Sequence, residues 1–266
     1  MENRLIRPIV RIGNSSGVVL PRSWLNQTAC VELIIKKSSD IFQEIIEILK
    51  EEIEFSKIIG IYLVGSYGRS EETLTSDIDI LVITEDITKS IKTGIYSLIL
   101  ISKEKINESI NKNAFPLLPM IKEAKPLLNA ELLKEFNGLK LTRKNIKWHI
   151  ETTILSMNEN RGLINLTKEL GEKNADDSIA YSLVLRLRGT YIIDCLKKGI
   201  LWNNPKFLKL IKKIASSSKA YERYIYIKND IGKNKSLLPI NEAEKLLSYV
   251  EKKNRKQEQW SKELKD

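Results

Sequence analysis

The chain has 266 residues, 42% of them hydrophobic, enough for one large domain or two to three small ones and too apolar for a disordered tail. Two cysteines and one histidine exclude a disulfide framework and a zinc-finger ligand set, and suit a reducing cytoplasm. The net charge of +10 is uneven: residues 1–40 stand at +3, residues 41–139 at −5 and residues 140–266 at +12. An acidic middle beside a basic end reads as a metal-binding centre next to a polyanion-attracting surface, or more blandly as lysine-rich solvated helices.

The opening residues MENRLIRPIV hold no apolar stretch of signal-peptide length, and the longest apolar runs, YSLILI and IDILVI, are strand-sized. The expectation is a cytoplasmic protein without a membrane span. PIVRIG and GVVLP are short β-branched runs joined by NSS, a hairpin signal. RSWLNQ reads as one or two helical turns and VELIIKK as a third strand. DIFQEIIEILKEEIEF carries apolar residues at 41, 42, 45, 46, 49 and 53, the spacing of a helix, with Asp40 placed as its N-cap. IIGIYLVG, IDILVIT and GIYSLILISKE are strands of one middle region. PLLPMIKEAKPLL contains three prolines and reads as an irregular connection to the helical NAELLKEF. From Thr142 onward the pattern is helical, over 142–160, 176–199, 205–229 with a break near SSSK, and 239–262.

The stretch LVGSYGRSEETLTSDIDILVIT, residues 63–84, carries the chemistry. A glycine after an apolar strand lets a phosphate approach the backbone, and Ser66 adds a hydroxyl and an amide. SEETL reads as the first turn of a helix whose N-terminus would face a triphosphate. Asp77 and Asp79 point to one face of a strand and repel unless a cation sits between them, and Mg²⁺ takes carboxylates together with waters and phosphates.

Gly65-Ser66, ten residues, then Asp77-x-Asp79 between apolar strands resembles the polymerase-β-like nucleotidyltransferase superfamily, in particular its small antitoxin-type and aminoglycoside-type members, over roughly residues 41–139. The resemblance implies an α/β core that binds an NTP through Gly65, Ser66 and Arg69 and holds Mg²⁺ or Mn²⁺ on Asp77 and Asp79. Members usually offer a third carboxylate from a neighbouring strand, but GIYSLILIS holds no Asp or Glu. Glu85 lies six residues beyond Asp79, about 20 Å away along a strand. Glu104 and Glu151 are the remaining candidates, without a motif to support either.

RPIVRIGNSSGVVLPRSWL resembles the AbrB/MazE-type swapped-hairpin domain through Gly13, Asn14, Ser15, Gly17, Pro21 and Trp24-Leu25. The resemblance implies an interleaved homodimer and, through Arg4, Arg7, Arg11 and Arg22, contact with DNA. NQTACVEL replaces the usual longer Gly-Asp turn, so dimerisation is favoured over DNA recognition. Arg143 and His149 fit an Arg-x(4–6)-His pattern like that of HEPN ribonucleases, but six residues of straight helix set them about 120° apart. In LRLRG, Arg186 and Arg188 fall on different sides of a helix, and Arg186 is the one that could face a nucleotide.

The expected architecture is therefore an α/β nucleotidyltransferase core (41–139), a small N-terminal β-hairpin module (1–38) and an all-α C-terminal bundle (140–266) that binds substrate or partner. The expected activity is metal-dependent transfer of an NMP from an NTP to a hydroxyl on a protein, an RNA or a small molecule. The alternative is a non-catalytic DNA-binding regulator or antitoxin with a degenerate middle domain, whose partner is nucleic acid or a toxin-like protein.

Overall fold

The computed structural model describes residues 5–136, 138–229 and 235–264. The chain divides into two compact units, Met1–Ile35 and Lys36–Asp266. In the first, β1 (Ile9–Ile12) pairs antiparallel with β2 (Ser15–Val18). Gly13 turns the chain at φ +59, a left-handed conformation that glycine adopts without steric cost. Arg22–Trp24 forms one turn of 3-10 helix. The strand expected over VELIIKK does not form, and residues 31–37 have no regular structure. A β-branched run gains ladder hydrogen bonds only beside a partner strand, and no described strand pairs with it. None of the described residues of this unit is buried; Ile12 is 56% exposed and Val19 66%.

The second unit opens with α1 (Ser38–Glu52), which buries Ile41, Ile45 and Leu49, spaced one helical turn apart. The helix starts three residues earlier than expected, so Asp40 lies in its first turn and complements the dipole instead of capping it. Then follow β3 (Ile58–Val64), the short α2 (Gly65–Arg69), β4 (Ile78–Thr84), β5 (Lys89–Thr93) and β6 (Tyr96–Ser102). After α3 (Lys103–Lys112) and α4 (Leu117–Glu123), β7 (Lys125–Leu128) returns to the sheet and leads into α5 (Ala130–Glu135). The strand order is β5-β6-β4-β3-β7, with β4 and β6 parallel and the other neighbours antiparallel.

Alternation along the strands gives the sheet two buried faces. Ile61, Leu63, Ile80 and Val82 pack on α1, while Tyr62, Val64, Leu81 and Ile83 pack with Ile106, Leu118 and Leu132 of α3, α4 and α5. Each such side chain contributes roughly 1.5–3 kcal/mol by leaving water. The segment PLLPMIKEAKPLL is regular, against the sequence expectation. Pro119 falls in the first turn of α4, where its missing N–H has no helical partner to lose, and Pro126 falls on an edge strand.

The remaining chain is helical: α6 (Arg143–Glu169), α7 (Asp177–Lys197), α8 (Asn204–Ala215), α9 (Lys219–Lys228) and α10 (Ile240–Ser261). A two-residue pair, β8 (Asn174–Ala175) with β9 (Leu238–Pro239), clips α7 to α10. The break expected near SSSK is at Ser216, whose φ of 71 ends α8. Thr142 and Asn145 cap α6 reciprocally, and Asn145 also accepts the Ala114 amide on its backbone carbonyl, which fixes α6 to the sheet-bearing part. No helix among the described residues is long and apolar enough to cross a membrane.

His149 lies at that junction, 5% exposed, with its ring 5.3 Å from that of Phe115 and pressed against Gly189, where a Cβ would collide with it. Arg143 is exposed on the same helix, so the two do not converge. Burial, with a smaller contribution from the charge of Arg186, lowers the His149 pKa from the usual 6.5 to about 4. The unfolded chain therefore binds a proton that the folded chain refuses, and stability falls as pH drops from 6.5 towards 4. The loss at pH 5 is about 2 kcal/mol. Denaturant unfolding at pH 7 and pH 5 should show that loss in the parent and not in His149→Gln. As the chain has a single histidine, its imidazole proton resonance reports directly; a midpoint near 6.5 would refute the assignment.

Candidate active site

Antiparallel pairing of β3 with β4 sets Val64 opposite Asp79, so the turn after β3 begins beside the carboxylate that opens β4. Gly65 has φ +65, and a Cβ there would run into the Asp79 carboxylate. Both the conformation and the space demand glycine at this position. Gly68 is also tight: a Cβ would lie 2.9 Å from the Glu123 carbonyl oxygen and 3.0 Å from that of Leu63. These contacts bring Gly65, Ser66, Asp77 and Asp79 to one end of the sheet.

The helix at this turn is not where the sequence places it. It comprises Gly65–Arg69, stops at Ser70 with φ 56, and residues 71–77 contain no helix. Lys125 of β7 ends it, donating to the Tyr67 carbonyl at 3.1 Å and to Ser70 Oγ at 2.5 Å. With five residues, α2 supplies little dipole. Its Gly65 amide donates to Glu123 Oε1 at 2.8 Å.

Glu123 also accepts from Arg69 Nη1 at 2.6 Å, while Arg69 Nε donates to Glu71 Oε2 at 2.8 Å. The Arg69 and Glu123 side chains are each only 4% exposed. The guanidinium lies 3.5 Å from the centre of the Trp202 ring. Glu71 in turn accepts from Asn203 Nδ2 at 2.5 Å and from the Asn204 amide at 3.1 Å, at the start of α8. Arg69, expected at the nucleotide, is thus the centre of a buried cluster that joins the turn to the helical part. Losing one partner of such a cluster costs about 3–5 kcal/mol, because the others stay buried and unpaired. Burial pushes the Glu123 carboxyl above the usual carboxylate range, against the opposing pull of Arg69.

Asp77 is exposed just before β4, and Asp79 is half-buried as its second residue. Burial raises the Asp79 pKa; the positive charges of Lys228, Arg188 and Arg69 act against it, and the like charge of Asp77 adds to it. Lys228 of α9 and Arg188 of α7 therefore bring the helical part to the carboxylates. Arg188 donates to the Tyr224 hydroxyl at 3.0 Å and lies 4.6 Å from the centre of the Trp202 ring. Arg186, the one favoured from sequence, instead donates to Thr152 Oγ1 at 2.9 Å.

The register of β4 and β6 sets Ser97 beside Asp79, at the place where a third carboxylate would stand. Glu85 and Glu104 lie together at the opposite end of the sheet, and exposed Glu151 faces Lys147 at 3.7 Å. None of the three reaches Asp79. Among the described residues no cluster of three or more His, Cys, Asp or Glu is arranged to hold a metal. A half-buried carboxylate beside a second carboxylate nevertheless fits an ion that takes two protein oxygens and completes its shell with water and phosphates, as Mg²⁺ does. Arg7, Arg11 and Arg22 are exposed in the N-terminal unit, Arg11 donating to the Gly13 carbonyl at 3.0 Å. Arg4 lies outside the described residues.

Sequence reasoning missed Glu123, Glu71, Trp202, Arg188 and Lys228. Glu71 had a signal in its place inside the Gly-Ser to Asp-x-Asp interval, and Arg188 in the LRLRG pair, where Arg186 was preferred; the others come from elements distant in the chain.

Residues 43–150 match the protein-family model for the nucleotidyltransferase domain. No curated protein matches the chain. Among solved structures it is similar to a nucleotidyltransferase-like protein from Exiguobacterium sibiricum, at 14% identity and a TM-score of 0.34, over 82% of this chain and 75% of that one. It is also similar to the spectinomycin adenyltransferase AAD(9) from Enterococcus faecialis, crystallised with ATP and spectinomycin, at 16% identity and a TM-score of 0.41, over 82% of this chain and all of that one.

Proposed function

We propose that the protein transfers an NMP from an NTP to a hydroxyl acceptor, with Mg²⁺ or Mn²⁺ held by Asp77 and Asp79. The observation that carries this reading is the Val64–Asp79 register, which sets the Gly65-Ser66 turn beside the half-buried Asp79, two residues from the exposed Asp77. The bound ion would neutralise phosphate charge and orient the acceptor. Ser66 is the side chain of the turn available to a phosphate, and Arg188 and Lys228 bring positive charge to the same carboxylates from the helical part. In the transfer the acceptor oxygen bonds to the α-phosphorus, the bond to pyrophosphate breaks, and the acceptor loses its proton. With Ser97 beside Asp79, β6 offers no carboxylate base for that proton.

A second reading is that the middle region binds nucleotide without turning it over and the protein acts as a DNA-binding regulator or antitoxin. Occupation of the Gly65 amide and of Arg69 by Glu123 supports it. The N-terminal unit supports association in either case, because its strands keep apolar side chains such as Ile9 and Ile12 exposed. We propose that it forms a homodimer through this hairpin. Sedimentation should show a dimer for the full chain and a folded monomer after deletion of residues 1–38; a truncated chain that still dimerises would overturn this.

An NTP at about a hundredfold its Kd, with Mg²⁺, should stabilise the protein by about 2.7 kcal/mol, or roughly 5–10 °C in Tm for a unit of this size. Asp79→Asn should abolish that shift, and without ligand it should melt no lower than the parent, since it removes a carboxylate that burial disfavours. An unchanged shift in the variant would place the ion elsewhere. Label transfer from an α-labelled NTP to components of a cell extract, lost in Asp77→Ala/Asp79→Ala, separates the transferase from the non-catalytic reading.

A further inference from the structure

The acceptor side is marked by charge on a single helix. α8 reads NPKFLKLIKKIA: four lysines and no acidic residue. Its apolar side, Phe207, Ile211 and Ala215, belongs to the core of the helical part. Lys206, Lys209, Lys212 and Lys213 are all exposed. At 100° per residue, Lys206, Lys209 and Lys213 fall within about 60° of one another, and Lys212 about 60° further round. Elsewhere in the bundle Lys168, Lys253, Arg161 and Arg223 meet carboxylates, whereas among the described residues none of the α8 lysines does. Four like charges on three helical turns repel one another, and they read as a surface that awaits counter-charge.

This helix starts at the site. Asn203 and Asn204, at its N-terminal end, are bound to Glu71, and the preceding Trp202 lies against Arg69. From Asn204, held at Glu71, to Lys213 the axis is about 14 Å long, the length of about four nucleotides at ~3.4 Å per step. A basic helix that anchors to a membrane adds an inserted apolar face to its charge, and here that face is already buried in the protein core. Neither does a polycationic small acceptor suit a helical region of net charge +12. A polyphosphodiester strand does: its phosphates would run along α8 and its end would present a hydroxyl at the carboxylate pair.

Resting on the transferase reading above, we propose that the acceptor is the single-stranded end of a nucleic acid and that the lysine face of α8 is its track. The track is testable apart from the chemistry. Anisotropy of labelled single-stranded oligoribonucleotides and oligodeoxyribonucleotides about twelve nucleotides long, within the site sizes of single-strand binders, gives Kd against salt. Log affinity should fall linearly with log salt, by about 0.7 per phosphate neutralised. Lys206→Ala/Lys209→Ala/Lys213→Ala, all surface changes, should leave Tm unchanged, weaken binding at low salt at least tenfold, and reduce the slope by about 2. Asp77→Ala/Asp79→Ala, which removes two negative charges, should bind at least as tightly as the parent. The tighter of the two oligonucleotides identifies the acceptor as RNA or DNA. No binding of either at low salt, or an unchanged slope in the triple variant, overturns the proposal. Binding through α8 without transfer of an NMP supports the track and counts against the transferase reading alone.

Discussion

Arg69 is the residue on which the rest of the arrangement depends. It is buried with Glu123 and Glu71 and stacked on Trp202, so one guanidinium holds the turn after β3, the C-terminal end of α4 and the start of α8 in fixed relation. Arginine suits this position because its planar fork offers donors in two directions while its face still packs on an aromatic ring. Glu123 passes the constraint on by accepting the Gly65 amide, and Gly65 has no side chain between its backbone and Asp79. The half-buried state of Asp79, which makes the carboxylate pair unfavourable without a cation, follows from this chain of contacts.

What was legible in the sequence is what backbone geometry demands. Gly65 announces a positive φ and a close approach, and Asp77 and Asp79 announce one strand face, so the carboxylate end of the sheet could be located from 22 residues. The amphipathic helices were legible for a similar reason: α1, α8 and α10 bury apolar residues at helical spacing. The same rules misled where tertiary context overrode local preference. VELIIKK has strand composition but no strand beside it, and the prolines of PLLPMIKEAKPLL fall at positions where a helix start and a sheet edge tolerate them.

The cluster around Arg69 was not legible, because its partners carry no local pattern. Glu123 meets Gly65 and Arg69 from 58 and 54 residues away, and Asn203 meets Glu71 from 132. Arg186 and Arg188 show the limit sharply. Two residues of helix separate them by about 200°, and only the packing of α7 on α6 decides which one faces Thr152 and which faces Trp202. The charge of the C-terminal region was countable, but that the helix carrying four of its lysines begins at the site required the fold.

Turnover at this site depends on Asp77 and Asp79 sharing an ion beside the Gly65-Ser66 turn. The most direct measurement is a crystal structure of the full chain with Mn²⁺ and a non-hydrolysable NTP, with anomalous scattering recorded to locate the metal. The account predicts a manganese peak within about 2.0–2.2 Å of oxygens from both aspartates, and triphosphate oxygens completing its shell. A nucleotide bound in the chain with manganese away from both carboxylates would contradict it.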